Sequence, residues 1–112
     1  MSHIKTNQLN KILTSHKIGF KKIIEKNGEN SIIPQIAIGY LKKNKIIKLH
    51  KHQTMIEYFF VLKGNGKFKI ESKSFDISAG DYIKISQNLN HSILAFSDLE
   101  FFYFGLNTKK VG

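Results

Sequence analysis

The sequence predicts an all-β protein, folded as a sandwich or barrel of about eight to ten short strands. Stretches rich in Ile, Phe, Val and Tyr recur along the 112 residues, and clusters of Gly, Asn, Ser and Asp separate them. The length suits one domain with one core. Because the chain has no cysteine, disulfides and thiolate metal sites are excluded, and any metal site must use nitrogen and oxygen ligands.

The predicted elements follow in chain order. Residues 1–15 form an N-terminal arm or a short helix, and residues 16–112 form a single barrel domain. Strands are predicted over residues 16–25, 32–41, 46–52, 57–62, 67–71, 75–77, 82–85, 91–96 and 99–105. Turn residues lie between them, and Gly64-Asn65-Gly66 predicts a tight hairpin. Because no helix is expected after this G-x-G, it is not a dinucleotide-binding fingerprint.

The formal net charge of +10 raises the question of a nucleic-acid partner. All 18 basic residues are lysine, and no block of lysines is longer than two. Since arginine is the usual residue for bidentate recognition of phosphates and bases, no specific nucleic-acid partner is expected, although a general attraction for small anions is consistent with the charge. The polar N-terminus has no apolar signal region and no segment approaches a membrane span, so we expect a cytoplasmic protein without a membrane partner.

The segment from His50 to Glu57 carries the strongest functional pattern, and His91 follows it 34 residues later. On a strand alternate side chains share a face, so His50 and His52 would point the same way about 7 Å apart. Such a pair can chelate a metal, and Glu57 and His91 are placed to complete the site. The alternative is that these are ordinary surface or core histidines. Three imidazoles and one carboxylate suit one divalent transition metal ion such as Fe, Mn, Ni, Cu or Zn, with open positions left for water or substrate.

These residues resemble the two sequence motifs of the cupins. The first motif reads G-x5-H-x-H-x3-4-E-x6-G, and it is matched here by Asn44 in place of the first glycine, then His50, His52, Glu57 and Gly64. The second reads G-x5-P-x-G-x2-H-x3-N. It is matched from Gly80 to His91, with Ser86, Asn88 and Ala95 in place of the proline, the second glycine and the asparagine.

The resemblance implies a cupin double-stranded β-helix (jelly-roll) barrel that keeps all four metal ligands. The substitutions by Asn44 and Asn88 are mild, because asparagine tolerates the left-handed backbone conformation that such turns require. Ala95 removes a polar group that the family usually places near the site. Cupins commonly pair, and the aromatic-rich strands 57–62 and 99–105 offer apolar faces that need cover, so a homodimer is expected.

The pocket beside the metal follows from strand alternation. Lys48, Phe59, Val61 and Ile93 are expected to share the inner face with the ligands. Lys48 is the candidate catalytic residue, because an ammonium beside an open coordination position could pair with a substrate carboxylate or phosphate, or donate a proton. The alternative places Lys48 at the barrel rim with its ammonium in water.

Two functions remain open on the sequence alone. The first is a metal-dependent enzyme of the lyase, isomerase, oxygenase or decarboxylase type, which acts on a small polar or anionic metabolite. The second is a non-catalytic cupin that binds or senses a small molecule or a metal. Because one fold hosts many chemistries, the resemblance does not choose between them.

Overall fold

The structure is a computed structural model that describes residues 1–109, except for the side chains of Leu49 and His50. Its strands are β1 (Ile12–Leu13), β2 (Phe20–Lys26), β3 (Gln35–Leu41), β4 (Ile46–His50), β5 (Met55–Lys63), β6 (Asn65–Ile70), β7 (Lys73–Ser78), β8 (Tyr82–Ile85), β9 (His91–Ala95) and β10 (Leu99–Asn107). A single 3₁₀ turn, Thr6–Gln8, precedes these strands in the described part of the chain. No helix among the described residues has the length and apolarity that crossing a membrane requires.

The strands form two antiparallel sheets. The larger sheet has the order β1-β2-β3-β10-β5-β8, and the smaller has the order β4-β9-β6-β7. Both sheets contain neighbours that come from distant parts of the sequence, as when β10 lies between β3 and β5 or β9 lies between β4 and β6. This is a jelly-roll arrangement, and the all-β fold class predicted from the sequence is confirmed.

The core follows the predicted alternation on the two central strands of the larger sheet. On β5 the side chains of Phe59 and Val61 are buried, whereas Phe60 between them is 43% exposed. The neighbouring strand β10 places Tyr103 opposite Phe59 and Phe101 opposite Val61. These inward side chains meet those of the smaller sheet and form one contiguous apolar cluster.

The predicted hairpin at Gly64-Asn65-Gly66 is wrong. β5 and β6 belong to different sheets, so the chain crosses from one sheet to the other at this point instead of folding back on itself. Gly64 has a φ of 86°, and a Cβ at this position would collide with the carbonyl oxygen of Asp98. The glycine is therefore needed for a sharp crossing between sheets, which has the same sequence signature as a tight hairpin.

The inner face of β4 differs from the prediction by one residue. β4 pairs with β9 through Ile47 opposite Ile93 and then His50 opposite His91, so two residues on β4 lie opposite one residue on β9 between these pairs. The extra residue is a β-bulge, and it reverses the alternation within the strand. Ile47 is buried as a result, while Lys48 is exposed. The expectation that Lys48 shares the inner face with the ligands is therefore corrected, and the alternative of an exposed Lys48 holds.

The N-terminal residues lie against the larger sheet. β1 pairs with β2 through Ile12 opposite Lys21 and Leu13 opposite Phe20, and residues 14–19 form the loop between them. Two hydrogen bonds close this loop: Thr14 N donates to the carbonyl oxygen of Gly19 at 3.2 Å, and Thr14 Oγ1 donates to that of Ile18 at 2.8 Å. The short helix considered for this region is limited to the 3₁₀ turn.

The outer face of the larger sheet carries an exposed aromatic patch. Tyr58 stacks on Phe104 with ring centroids 5.0 Å apart and lies 6.5 Å from Tyr82, which is itself 61% exposed. Phe60 extends the patch along β5. The predicted homodimer would cover such a face, and it stays a prediction.

Candidate metal centre

Three of the four predicted metal ligands lie together. The Nε2 atom of His52 is 3.0 Å from Oε1 of Glu57, and the Nε2 atom of His91 is 3.4 Å from the same oxygen. The His91 side chain is only 1% exposed and that of Glu57 is 11% exposed, whereas the His52 side chain is 41% exposed. Two imidazole nitrogens thus approach the same carboxylate oxygen, one from a buried histidine and the other from a partly exposed one.

The two buried side chains of this group, Glu57 and His91, are held by the sheets. Glu57 lies on the inner face of β5 and pairs with Gly105 of β10 on one side and Ile85 of β8 on the other. His91 begins β9, and its ring lies nearly parallel to that of Phe68 at an interplanar angle of 16° and a centroid distance of 6.2 Å. The ring of Phe59 meets it from another direction at 6.5 Å. Packing of this density fixes the ring orientation before any ligand binds.

The third ligand, His52, lies in the loop after β4, and a backbone hydrogen bond ties this loop to the second motif. The amide nitrogen of Asn88 donates to the carbonyl oxygen of His52 at 2.8 Å. Asn88 itself has a φ of 67°, as its place at a motif glycine predicts. Asn44, at the other substituted glycine, has a φ of 69°. Both asparagines therefore adopt the left-handed conformation that the sequence comparison requires of them.

The hydrogen bond of His91 orients its ligating nitrogen. Nδ1 of His91 donates to the carbonyl oxygen of Leu89 at 3.2 Å, since a carbonyl can only accept. A neutral His91 then carries its lone pair on Nε2, the atom that faces Glu57. The Nε2 lone pair of His91 and Oε1 of Glu57 are then two acceptors 3.4 Å apart, which repel each other unless a proton or a metal ion lies between them. The same pattern, in which the second ring nitrogen donates to a carbonyl, is typical of histidines that ligate metals.

Glu57 controls the electrostatics of the site. Its hydrogen bond to His52 raises the pKa of that imidazole above the ordinary value, although desolvation works in the opposite direction. Burial, together with the negative charge of Glu57, raises the pKa of Tyr103 to about 12. Tyr103 is therefore a neutral phenol at physiological pH, able to donate a hydrogen bond and unable to serve as an anionic base.

Each of the two separations, taken by itself, is compatible with a pair of ligand atoms on one metal ion. Two ligand atoms that each lie about 2.1 Å from one ion stand about 3.0 Å apart at a right angle and about 3.4 Å apart at the tetrahedral angle. The distances from Glu57 Oε1 to the two imidazole nitrogens are 3.0 and 3.4 Å. Among the side chains that the structure describes, no group of three or more His, Asp or Glu residues is arranged so that it could hold a metal ion. The fourth predicted ligand is His50, whose side chain lies outside the described residues.

A cavity of about 270 Å³ adjoins His52 and Glu57. His52 and Glu57 contribute to one part of its wall, and Ile47, Phe59 and Tyr103 contribute to the apolar part. The loop between β1 and β2, with β2 itself, closes another side. The arrangement is a small, mostly apolar chamber with polar groups at defined places, as expected for a binding or active site.

The structure distinguishes among the predicted pocket residues. Phe59 and Ile93 line the cavity, whereas Val61 lies in the core and neither it nor Lys48 is part of the cavity wall. Val61 has the correct inward direction but is four residues beyond Glu57, too deep in the barrel to reach the chamber.

Sequence reasoning missed several polar residues of the cavity wall, among them His16, Lys21, Gln35 and Tyr103. Alternation from Glu57 and the pairing with β5 would have indicated Tyr103, once β10 is known to lie beside β5. No local pattern marks His16 or Lys21, because their place at the cavity depends on how the first hairpin folds over the barrel.

Comparison with known proteins identifies the family of the central region. The family model described as the cupin domain matches residues 38–103, which include every predicted metal ligand. A 45-residue segment is 36% identical to an uncharacterized protein of Methanocaldococcus jannaschii, and the match covers 40% of this chain and 36% of that protein. The matched segment is thus about a third of that relative's length.

Solved structures extend the likeness to nearly the whole chain. A predicted oxalate decarboxylase from Thermotoga maritima superposes with a TM-score of 0.85 at 22% identity, over 95% of this chain and 99% of that one. Ectoine synthase from P. lautus gives a TM-score of 0.81 at 12% identity, over 96% and 78%. KdgF from Halomonas sp. gives 0.79 at 14% identity, over 95% of each chain. At these identities the likeness shows a shared fold.

Proposed function

Since the chain belongs to the cupin family, we propose that it is a metal-dependent enzyme of the lyase, isomerase or oxygenase type, acting on a small polar or anionic metabolite. The observation that carries the proposal is the approach of both His52 and His91 to the carboxylate of Glu57, because Glu57 and His52 also line a cavity of small-molecule size. A purely structural site would be closed on all sides. Here the His52 side chain remains 41% exposed.

The proposed roles of the residues follow from their positions. His50, His52, Glu57 and His91 would hold one divalent transition metal ion, which when bound supplies a Lewis acid for polarising a carbonyl or carboxylate of the substrate. The Leu89 carbonyl keeps the Nε2 lone pair of His91 directed at the site. The phenol of Tyr103 would donate a hydrogen bond to a substrate oxygen, because its raised pKa keeps the proton in place.

The apolar side chains of the cavity wall would exclude water around the bound substrate. Phe59 lies face to face with Tyr103 at a centroid distance of 5.6 Å and an angle of 12°, which limits the movement of the phenol ring. Ile47 and Ile93 flank the chamber from the smaller sheet. Such walls strengthen the electrostatic contacts made inside them.

Two of the structurally similar proteins have names that denote enzymes, a predicted oxalate decarboxylase and an ectoine synthase. They support an enzyme on this fold without specifying the reaction. Oxalate and other small carboxylates are therefore reasonable first substrates to test, since they fit a cavity of about 270 Å³.

Metal content tests the first half of the proposal. Protein purified without added metal should contain close to one equivalent by elemental analysis. His91→Ala and Glu57→Gln should each fall to roughly a tenth of an equivalent or less, because a missing ligand sharply lowers affinity. His3→Ala, a change outside the cavity wall, is the matched control and should keep the metal. Equal metal content in all four proteins would contradict the proposed site.

Turnover separates the enzyme from the binding or sensing alternative. Metal-loaded protein is incubated with oxalate and a panel of small hydroxy- and keto-acids, and consumption is followed by NMR. An enzyme should convert at least one compound, and Glu57→Gln should abolish the conversion. Tight binding of a panel member without any conversion would instead favour a sensing or storage role.

A further inference from the structure

The cavity has a second polar end, opposite Glu57, formed by Lys21 and Gln35. Nζ of Lys21 donates to Oε1 of Gln35 at 3.1 Å, and both residues line the cavity. Lys21 pairs with Gly39, which lies opposite Phe101 of the core, so Lys21 faces the inside of the larger sheet. Unlike Lys48, this lysine is therefore a cation of the chamber itself.

Strand register places this end across the chamber from Glu57. Phe104 of β10 pairs with Ile36, which brings the preceding residue of β3, Gln35, level with Gly105. Gly105 pairs in turn with Glu57 on β5. Gln35 and Glu57 thus lie in one row with a single strand between them, a backbone separation of about 10 Å at the usual strand spacing.

The Lys21–Gln35 end offers hydrogen-bond donors. The ammonium can only donate, so it is the amide oxygen of Gln35 that faces it, and the amide NH₂ is left to point elsewhere. The remaining hydrogens of the ammonium add to this set of donors. Burial, and secondarily the charge of Lys26, lowers the pKa of Lys21, which shows that the ammonium is already partly stripped of water. An anionic group bound here would offset that cost.

The floor between the two ends is apolar. The Met55 side chain lies over Gly105, where an added Cβ would collide with its sulfur and Cγ. Phe101 and Ile93 add further apolar wall. A ligand that spans the chamber therefore needs a hydrocarbon middle between two polar groups.

We infer that Lys21 and Gln35 bind the carboxylate of the substrate, and that the substrate class is a small carboxylic acid with a short apolar body and a second polar group that reaches the Glu57 end. The inference deepens the proposed function and rests on it only for the role of the Glu57 end. Lys21 is a substrate-binding and specificity residue in this assignment. The anion recognition itself depends on Lys21 of β2 and Gln35 of β3, not on the proposed metal ligands.

The test uses 3-methylbutanoate and its neutral isostere 3-methylbutanamide as probes, with binding measured by NMR titration of the purified protein as isolated. The wild type should bind the acid more tightly than the amide. Lys21→Met should weaken binding of the acid by about tenfold or more, because a charge-assisted hydrogen bond is lost, and should leave the amide nearly unaffected. Lys48→Met removes the same charge from the exposed side and should change neither affinity.

A second variant tests the inference if Lys21→Met folds poorly. Gln35→Glu brings a carboxylate next to Lys21 and should weaken binding of the acid by a similar factor. Equal binding of acid and amide by the wild type, or equal effects of Lys21→Met and Lys48→Met, would overturn the inference. Tighter, Lys21-dependent binding of 2-methylpropylphosphonate than of the acid would replace the carboxylate with a phosphate-type ligand.

Metal content, measured on the same samples, separates the two proposals. A protein without metal that still shows Lys21-dependent binding of the acid would disprove the metal centre and support the anion-binding end. A protein with a full equivalent of metal and no effect of Lys21→Met would do the reverse.

Discussion

Tyr103 provides a sharp test of the electrostatics of the cavity. Its pKa is raised from the ordinary 10.0 to about 12, first by burial and second by the charge of Glu57. Between these two pH values the unfolded chain releases the phenolic proton and the folded protein retains it. Because the unfolded state then binds fewer protons, the free energy of unfolding must fall as the pH rises through this window.

The magnitude follows from the two pKa values. At pH 11.5 the unfolded phenol is almost fully ionised and the folded one is mostly protonated, and linkage gives a loss of about 2 kcal/mol relative to pH 9. Tyr103→Phe removes the ionisable group and should remove this part of the pH dependence. The change in all other groups, including the many lysines, is common to both proteins and cancels in the difference.

Urea unfolding of wild type and Tyr103→Phe at pH 9, 10, 11 and 11.5 measures the effect. The stability difference between the two proteins should shift by about 2 kcal/mol in favour of Tyr103→Phe across this range. Difference absorbance at 295 nm should show that the substitution removes an ionisation step well above pH 11. A removed step centred near pH 10, or a stability difference that does not change with pH, would refute the buried, Glu57-coupled phenol.

Three further predictions concern the framework of the site. Asn88→Ala should destabilise the protein by about 1 kcal/mol in urea unfolding, because alanine tolerates a φ of 67° less well, whereas Asn88→Gly should be nearly neutral. Gly66→Ala should cost more than about 2 kcal/mol or prevent folding, since its Cβ would collide with the carbonyl oxygen of Leu94. Gly28→Ala is the control: its Cβ would have no atom within 4 Å, so the protein should lose only the stability that a positive φ costs a non-glycine residue. His91→Leu should lower the metal content of the protein. It should lower the stability of the metal-free protein by no more than about 1 kcal/mol, because an apolar side chain suits the contacts with the aromatic neighbours of His91. A loss of more than about 3 kcal/mol would show that the fold requires the imidazole.

The sequence predicted most of the strands, because they depend on local patterns, and it predicted that Glu57 and His91 lie close together. Alternation identified Phe59 as an inward side chain, and motif spacing brought Glu57 and His91 to one point although they are far apart in the chain. The left-handed backbone at Asn88 was likewise readable from residue chemistry.

The errors arose at positions where strand pairing, and not the local sequence pattern, decides where a residue lies. The bulge in β4 leaves no hydrophobic signature, so parity assigned Lys48 to the wrong face. Gly64 has the composition of a hairpin turn but carries the chain between sheets, which only the pairing partners of β5 and β6 reveal. Lys21 reaches the cavity through the folding of an N-terminal hairpin, and nothing in its neighbourhood in sequence indicates a cavity.

The hydrogen bond from Asn88 to the carbonyl of His52 has a consequence for the order in which the site is assembled. On a chain emerging from the ribosome, His52 and Glu57 are available long before His91 is synthesised. Neither the turn at Asn88 nor the pairing of β9 with β4 exists at that stage, so the loop carrying His52 has nothing to hold it in place. In the proposed metal centre, the early half-site should therefore exchange metal freely, and firm retention should begin only when the last strands close the barrel.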